Sequence, residues 1–275
     1  MSNELSRLSF SQEIQTKGIQ NMISSVLGDA KRAARFTASI TSAVTTTPAL
    51  KECDTKSILS GALLGESLEL SPSPQLGQYY LVPFNDKNGP KKAQFVLGYK
   101  GYIQLAMRSG QYKKLNVLEI KKGELIRFDP LNEEIEVNLI DDEVKRELAE
   151  TVGYYAMFEY TNGFRKAIYW SKQKMENHAI RHSMGYKAKK GYTFWEKDFD
   201  GMAFKTMLRQ LLSKWGILSV EMRQAFEADD AIIATDGTAI RPEDVENAKD
   251  VTPPEVKPEE AKPEGEAEQV SLDAL

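Results

Sequence analysis

Residues 192–215, YTFWEKDFDGMAFKTMLRQLLSKW, narrow the possible folds more than any other stretch. Wound as a helix, Ala203, Phe204, Met207, Leu208, Leu211, Leu212 and Trp215 fall on one side, a stripe that must be buried against another layer. Lys205, Arg209 and Ser213 recur at spacings of four on the other side, with Thr206, Gln210 and Lys214 beside them. Asp198 and Asp200 stand where a carboxylate caps free N–H groups. The expectation is a long helix with a core face and a cationic, amide-bearing face that carries no acid. Such a face is either a solvated surface or a phosphate-binding one, and the helix alone does not choose.

The layer it packs on is legible upstream. Residues 152–160 and 164–170 are apolar, β-prone runs on either side of Asn162-Gly163, the signature of a type I′ hairpin. That register would set Glu159 opposite Lys166. Residues 79–84, 93–97, 117–120, 125–128 and 135–139 also have strand patterning. Residues 11–27, 29–44 and 54–68 have helical spacing. Gly28 is placed as a stop, Asp54 as a cap, and Thr47-Pro48 as a terminator. The small residues of 54–68 predict close helix packing, in the core or at a subunit contact. Residues 98–110, GYKGYIQLAMRSG, form a shorter helix with Ile103, Ala106 and Met107 on one face. Lys100, Gln104 and Arg108 lie on another, and Gly98 and Gly101 leave room for a close backbone approach.

The formal net charge of −4 conceals a division. From Glu227 onward there are fifteen acids and four bases, a net of −11, so residues 1–226 carry a net of +7. Between Arg165 and Lys214 there are twelve bases and four acids. A basic body with an acidic end suggests a nucleic-acid partner for the body. From about Asp236 prolines, glutamates and lysines dominate, which predicts a disordered tail. Three regions follow: a helical 1–70 suited to subunit contacts, an α+β core at 71–226, and a largely disordered tail at 227–275.

Several classes are excluded or disfavoured. No apolar run is long enough to span a membrane, and residues 1–12 have no secretory pattern. Cys53 is the only cysteine, so no intrachain disulfide and no cysteine-rich zinc site can form. A reducing cytoplasm is the expected compartment. No GxxxxGK[ST] phosphate loop occurs. His178 and His182 share a helix face but have no third donor at metal-ligand spacing, and polar contact is the simpler reading. Glu196, Asp198 and Asp200 alternate as magnesium ligands do, yet helix capping accounts for them more simply. Residues 185–195 interleave Lys187, Lys189 and Lys190 with Tyr186, Tyr192, Phe194 and Trp195. Lysines suit phosphates and aromatic faces suit unpaired bases, so this loop favours single-stranded nucleic acid over a plain solvated loop.

Taken together the pieces resemble the RecT family of phage single-strand annealing proteins, recombinases grouped with the Red beta type. The resemblance spans roughly residues 17–226. It rests on Lys17-Gly18 with Asn21-Met22-Ile23, on Gln75-Leu76-Gly77 followed by Tyr80-Leu81-Val82-Pro83-Phe84, and on Gly98-Tyr99-Lys100-Gly101-Tyr102-Ile103-Gln104-Leu105-Ala106 with Arg108-Ser109-Gly110. Trp195 followed by Asp198-Phe199-Asp200-Gly201-Met202-Ala203 and Lys205-Thr206 completes it. The resemblance implies single-stranded DNA binding and ATP-independent pairing of complementary strands in phage or prophage recombination. It also implies assembly into rings or helical filaments. The partners it implies are single-stranded and annealed duplex DNA, a phage exonuclease and the host single-strand binding protein. The setting would be the bacterial cytoplasm, with no cofactor, no metal and no catalytic residue. The implied core is Rad52-like, a small antiparallel β-sheet crossed by a long helix.

A basic groove for the phosphates is expected from Lys100, Arg108, Lys187, Lys189, Lys190, Lys205, Arg209 and Lys214. Tyr102, Gln104, Trp195, Thr206 and Gln210 are placed beside it, and Arg181 and Arg35 are candidates that surface ion pairing explains as well. Held by its backbone, a strand keeps its bases exposed for a second strand to test. Two other readings stay open: a passive single-strand binder that does not anneal, and a metal-dependent nuclease built on Glu196, Asp198, Asp200 and the two histidines.

Overall fold

The computed structural model describes residues 8–85, 90–132, 134–191 and 193–240. In chain order the elements are α1 (Phe10–Glu13), α2 (Lys17–Leu27), α3 (Ala30–Thr46), a 3-10 turn at Pro48–Glu52, α4 (Thr55–Ser67), β1 (Tyr79–Phe84), β2 (Lys92–Leu97), α5 (Tyr99–Arg108) and β3 (Tyr112–Lys121). Then follow β4 (Leu125–Asp129), β5 (Glu134–Val137), α6 (Glu143–Leu148), β6 (Thr151–Tyr160), β7 (Arg165–Ser171), α7 (Lys172–His182), α8 (Met184–Lys187), α9 (Phe194–Lys197), α10 (Phe199–Trp215), α11 (Val220–Ala228), β8 (Ala231–Ile233) and β9 (Ala239–Ile240).

The helix ends follow local chemistry. Asp29, Asp54, Ser171 and Asp198 each accept a backbone N–H three residues on, satisfying a donor the helix leaves orphaned. Gly28 closes α2 in the left-handed conformation at φ 68°. The single helix expected over 11–27 is two, because Thr16 is extended and its hydroxyl donates to the Glu13 carbonyl. The break turns Phe10 and Ile14 into the core.

Every strand pairing between named strands is antiparallel, in sheets ordered β1-β2-β8-β9 and β3-β6-β7 and a separate β4-β5 hairpin. With its helices this is the expected α+β fold. The three-stranded sheet is crossed by α10, whose other side meets α5, so the long helix lies between two layers. Alternation along β6 turns Tyr154, Ala156, Phe158 and Tyr160 onto that covered face. The small residues of α4 serve a sheet rather than another helix. A Cβ on Gly65 would stand 2.4 Å from the Tyr79 ring, and one on Gly61 2.8 Å from Leu81.

Three local expectations fail for physical reasons. In the β6–β7 hairpin Glu159 faces Arg165, and Lys166 faces Phe158. The turn is a residue longer than type I′: Tyr160 N–H donates to the Phe164 carbonyl, and only Gly163 has positive φ, whereas type I′ needs two such residues. Glu159 instead takes Lys113 and Lys114 from β3. On α5 the buried face is Tyr102, Leu105 and Ala106, while Met107 is 62% exposed. Finally, the ordered chain does not stop at 226. β8 pairs with β2 and is buried throughout, so the segment assigned to the tail begins inside the fold. The remainder of the expected tail, from 241, lies outside the described residues, as does Tyr192.

Buried side chains from Phe10 to Ile233 form one cluster, so the described residues of 1–70 and 71–226 share a core. No described helix is long and apolar enough to cross a membrane.

Candidate nucleic-acid interface

At Lys205 and Arg209 the face of α10 expected to be cationic and free of acids is neither open nor unpaired. Lys205 is 7% exposed, and its ammonium lies 3.0 Å from Asp229 and 3.3 Å from Asp230. The Arg209 guanidinium also binds Asp229 and lies 3.3 Å from Asp230. Asp229 has no exposed side-chain surface, and it further accepts the Leu97 N–H at 2.8 Å and the Tyr102 hydroxyl at 2.6 Å. Burial would raise the Asp229 carboxyl, but Lys205 and Arg209 with those two donors hold it below its ordinary range. Lys205 is the counterpart: burial alone would lower it, and Asp229 and Asp230 hold it above its ordinary value.

Four residues expected at the groove are therefore interior. Tyr102 is fully buried, Lys205 is ion-paired, Thr206 donates to the Met202 carbonyl, and Trp195 is 5% exposed among Tyr186, Phe199 and His178. Of the described aromatics of 185–195, Tyr186 and Trp195 pack on each other and Phe194 packs against Tyr80. The signal for Asp229 was the apolar run Ala231-Ile232-Ile233 directly after two acids, inside a segment otherwise polar.

The acids of this region are also committed. Asp198 caps α10, Glu196 completes a capping box with Thr193, and Asp200 accepts the Tyr154 hydroxyl at 2.6 Å. Among the described residues no three His, Cys, Asp or Glu side chains gather as a metal site.

The exposed candidates divide by position. Lys187, at the end of α8, and Lys189 and Lys190, in the tight turn between α8 and α9, are exposed. Lys189 has φ 50° and Gly191 φ 76°, while Lys190 N–H donates to the Gly185 carbonyl and Gly191 N–H to Glu196. A Cβ on Gly185 would stand 2.6 Å from Thr193, so the two sides of the loop nearly touch. Lys100 is exposed at the start of α5 and crosses Gly77, where the Tyr80 ring also lies. Tyr80 then contacts Phe194, the first residue of α9. Gly98 and Gly101 serve this junction: a Cβ on either would stand 2.1 Å from the Gly77 or Gln78 carbonyl oxygen. Their close approach is to protein backbone.

Arg181 is exposed at the last turn of α7. Arg108 is exposed but donates to the Leu68 and Glu69 carbonyls, capping the end of α4. Gln104 and Gln210 are half-buried. Lys214 is exposed at the far end of α10, roughly 22 Å from its first turn by helical rise. The Tyr80–Phe194 contact thus brings the start of α9 against the ground beneath Lys100, and Lys214 stands at the far end of α10.

The comparisons with known proteins accord with this chain order. The family model described as the RecT family matches residues 34–253. The chain belongs to the RecT family. It is similar to the protein YqaK of Bacillus subtilis (strain 168), 46% identical over 205 residues, 74% of this chain and 66% of that one. It is similar also to Protein RecT of Escherichia coli (strain K12), 32% identical over 189 residues, 66% of each chain. Each alignment thus spans a little under two thirds of the relative's length. The RecT match runs through β8 and Asp229, in keeping with a core that extends past residue 226.

Proposed function

We propose that this RecT-family chain binds single-stranded DNA and anneals complementary strands without ATP, in phage or prophage recombination in the bacterial cytoplasm. The observation that carries the reading is the family match over residues 34–253. The exposed lysine turn and Lys100 support it with a surface suited to phosphates. In this reading Lys100, Lys187, Lys189 and Lys190 hold one strand by its backbone, and Arg181 extends the track. Backbone contacts position a strand without reading its sequence, so base pairing with the incoming strand supplies the selection. Lys205 and Arg209 act behind the surface, fixing β8 and the start of α5 through Asp229 rather than touching phosphate. The protein is not an enzyme in this account; it assembles with copies of itself, through the helical N-terminal region among others, and works beside a phage exonuclease and the host single-strand binding protein.

The test is pairing of two labelled complementary oligonucleotides without ATP, with products deproteinised before electrophoresis. Faster duplex formation with intact strands supports annealing. Strands that are bound but pair no faster indicate a passive binder, and shortened strands a nuclease; either result overturns the proposal.

A further inference from the structure

The β4–β5 hairpin and the chain through α6 expose six large apolar side chains, Ile126, Leu131, Val137, Leu139, Val144 and Leu148. The hairpin stands apart from both larger sheets, and Phe128 rests on Tyr169 of β7 with ring centroids 5.0 Å apart. Its base is fixed by a carboxylate with no exposed side-chain surface. Glu124 accepts the Lys121 N–H at 2.8 Å, the Ile140 N–H at 3.2 Å and the Arg146 guanidinium at 2.7 Å. Its carbonyl accepts the Asn138 N–H, and Arg146 also donates to the Glu119 carbonyl. Arg146 thereby orients α6. Val144 and Leu148 stand four apart on the side of α6 turned away from Arg146, and they are 67% and 83% exposed. Leu139 sits between the two residues whose N–H groups Glu124 holds. Apolar side chains held outward by a buried ion pair form a prepared contact surface.

The charge of this arm selects what it meets. Between Glu124 and Glu150 there are ten acids and three bases, although residues 1–226 together carry a net of +7. Such ground repels a polyanion and suits a protein surface that offers cations and exposed apolar side chains. The outer side of α2 and α3 offers both. Met22 and Val26 stand four apart on α2 and are 39% and 60% exposed. From Lys17 to Thr46 there are four bases and one acid. That acid, Asp29, caps α3, while Lys17, Lys31 and Arg35 are exposed. We propose that the β4–β5 hairpin and α6 of one copy dock on the outer side of α2 and α3 of a second copy, with Val144 and Leu148 against Met22 and Val26. This rests on the self-assembly read above and names the surfaces that make it. Arm and receiving surface are different patches, so the contact is head-to-tail and repeats into a ring or a filament.

The experiment reads assembly size by sedimentation velocity, with and without a single-stranded oligonucleotide. The full native chain is compared with a Val144→Gln, Leu148→Gln variant and a Met22→Gln, Val26→Gln variant. Glutamine keeps helix propensity and all four positions are exposed, so unfolding midpoints should stay native. Each variant alone should associate at least about tenfold more weakly than the native chain. Mixed in equal amounts, the two should form dimers and nothing larger, because each pair has one intact arm facing one intact receiving surface. That pairing also shows that both variants are folded. Added salt should weaken the native assembly. Native-size assemblies of either variant, a mixture that stays monomeric, or an assembly that tightens with salt overturns the docking alone. A native chain that is monomeric under every condition overturns the self-assembly reading, and the docking with it.

Discussion

The Lys205 ammonium lies 3.0 Å from the Asp229 carboxylate, and neither group has more than a small fraction of its surface in water. Asp229 follows α11 directly and leads into β8, so this pair fastens the end of the fold to its central helix. Removing one partner strands a buried charge. Asp229→Ala should cost about 3–5 kcal/mol in urea denaturation. Replacing Lys205 as well, in an Asp229→Asn, Lys205→Met chain, should recover part of that loss. Lys205→Ala alone should fail as a folding variant, so its loss of DNA binding would not locate the groove.

Gly98 and Gly101 are required by the backbone they touch. Gly98→Ala and Gly101→Ala each place a Cβ 2.1 Å from a carbonyl oxygen and should destabilise by about 1–3 kcal/mol or more in thermal denaturation. Gly18 in α2 has nothing within 4 Å of a Cβ, so Gly18→Ala should be neutral or stabilising by up to about 1 kcal/mol.

His178 sets a pH limit. Burial first, then the neighbouring His182 and Arg181, push it down to about 4 from 6.5; the His182 ring is 4.3 Å away and Trp170 and Trp195 flank it. The unfolded chain takes up this proton near pH 6.5 while the folded chain resists until about 4. The stabilisation is therefore complete above 6.5 and lost as pH falls toward 4. Because the ring is only about half buried, the loss should be on the order of 1 kcal/mol. Urea midpoints at pH 7 and pH 5 should differ less in His178→Gln than in the native chain.

The secondary structure was largely legible because caps, glycines and apolar periodicity are local signals. Gly28, Asp54 and Asp198 act where the sequence places them. The site was less legible because exposure is not local. The polar side of α10 has the spacing of a solvated face, and it is Asp229, from a segment of acidic composition that returns as β8, that pairs with Lys205 and Arg209 there. Trp195 and Tyr102 carry the same composition whether they stack on a base or on Phe199 and Phe226. Lys187, Lys189 and Lys190 are exposed, as expected, because a tight turn closed by Gly191 and Glu196 leaves them nothing to fold against.

The most direct measurement is the salt dependence of single-stranded DNA affinity in the native chain and in Lys187→Ala, Lys189→Ala, Lys190→Ala combined. Each phosphate contact on a single strand contributes about 0.7 to the slope of log K against log salt. The triple variant should keep the native unfolding midpoint, bind more weakly, and lose about 2 from that slope. Native affinity with an unchanged slope would contradict the account and move the DNA off the lysine turn.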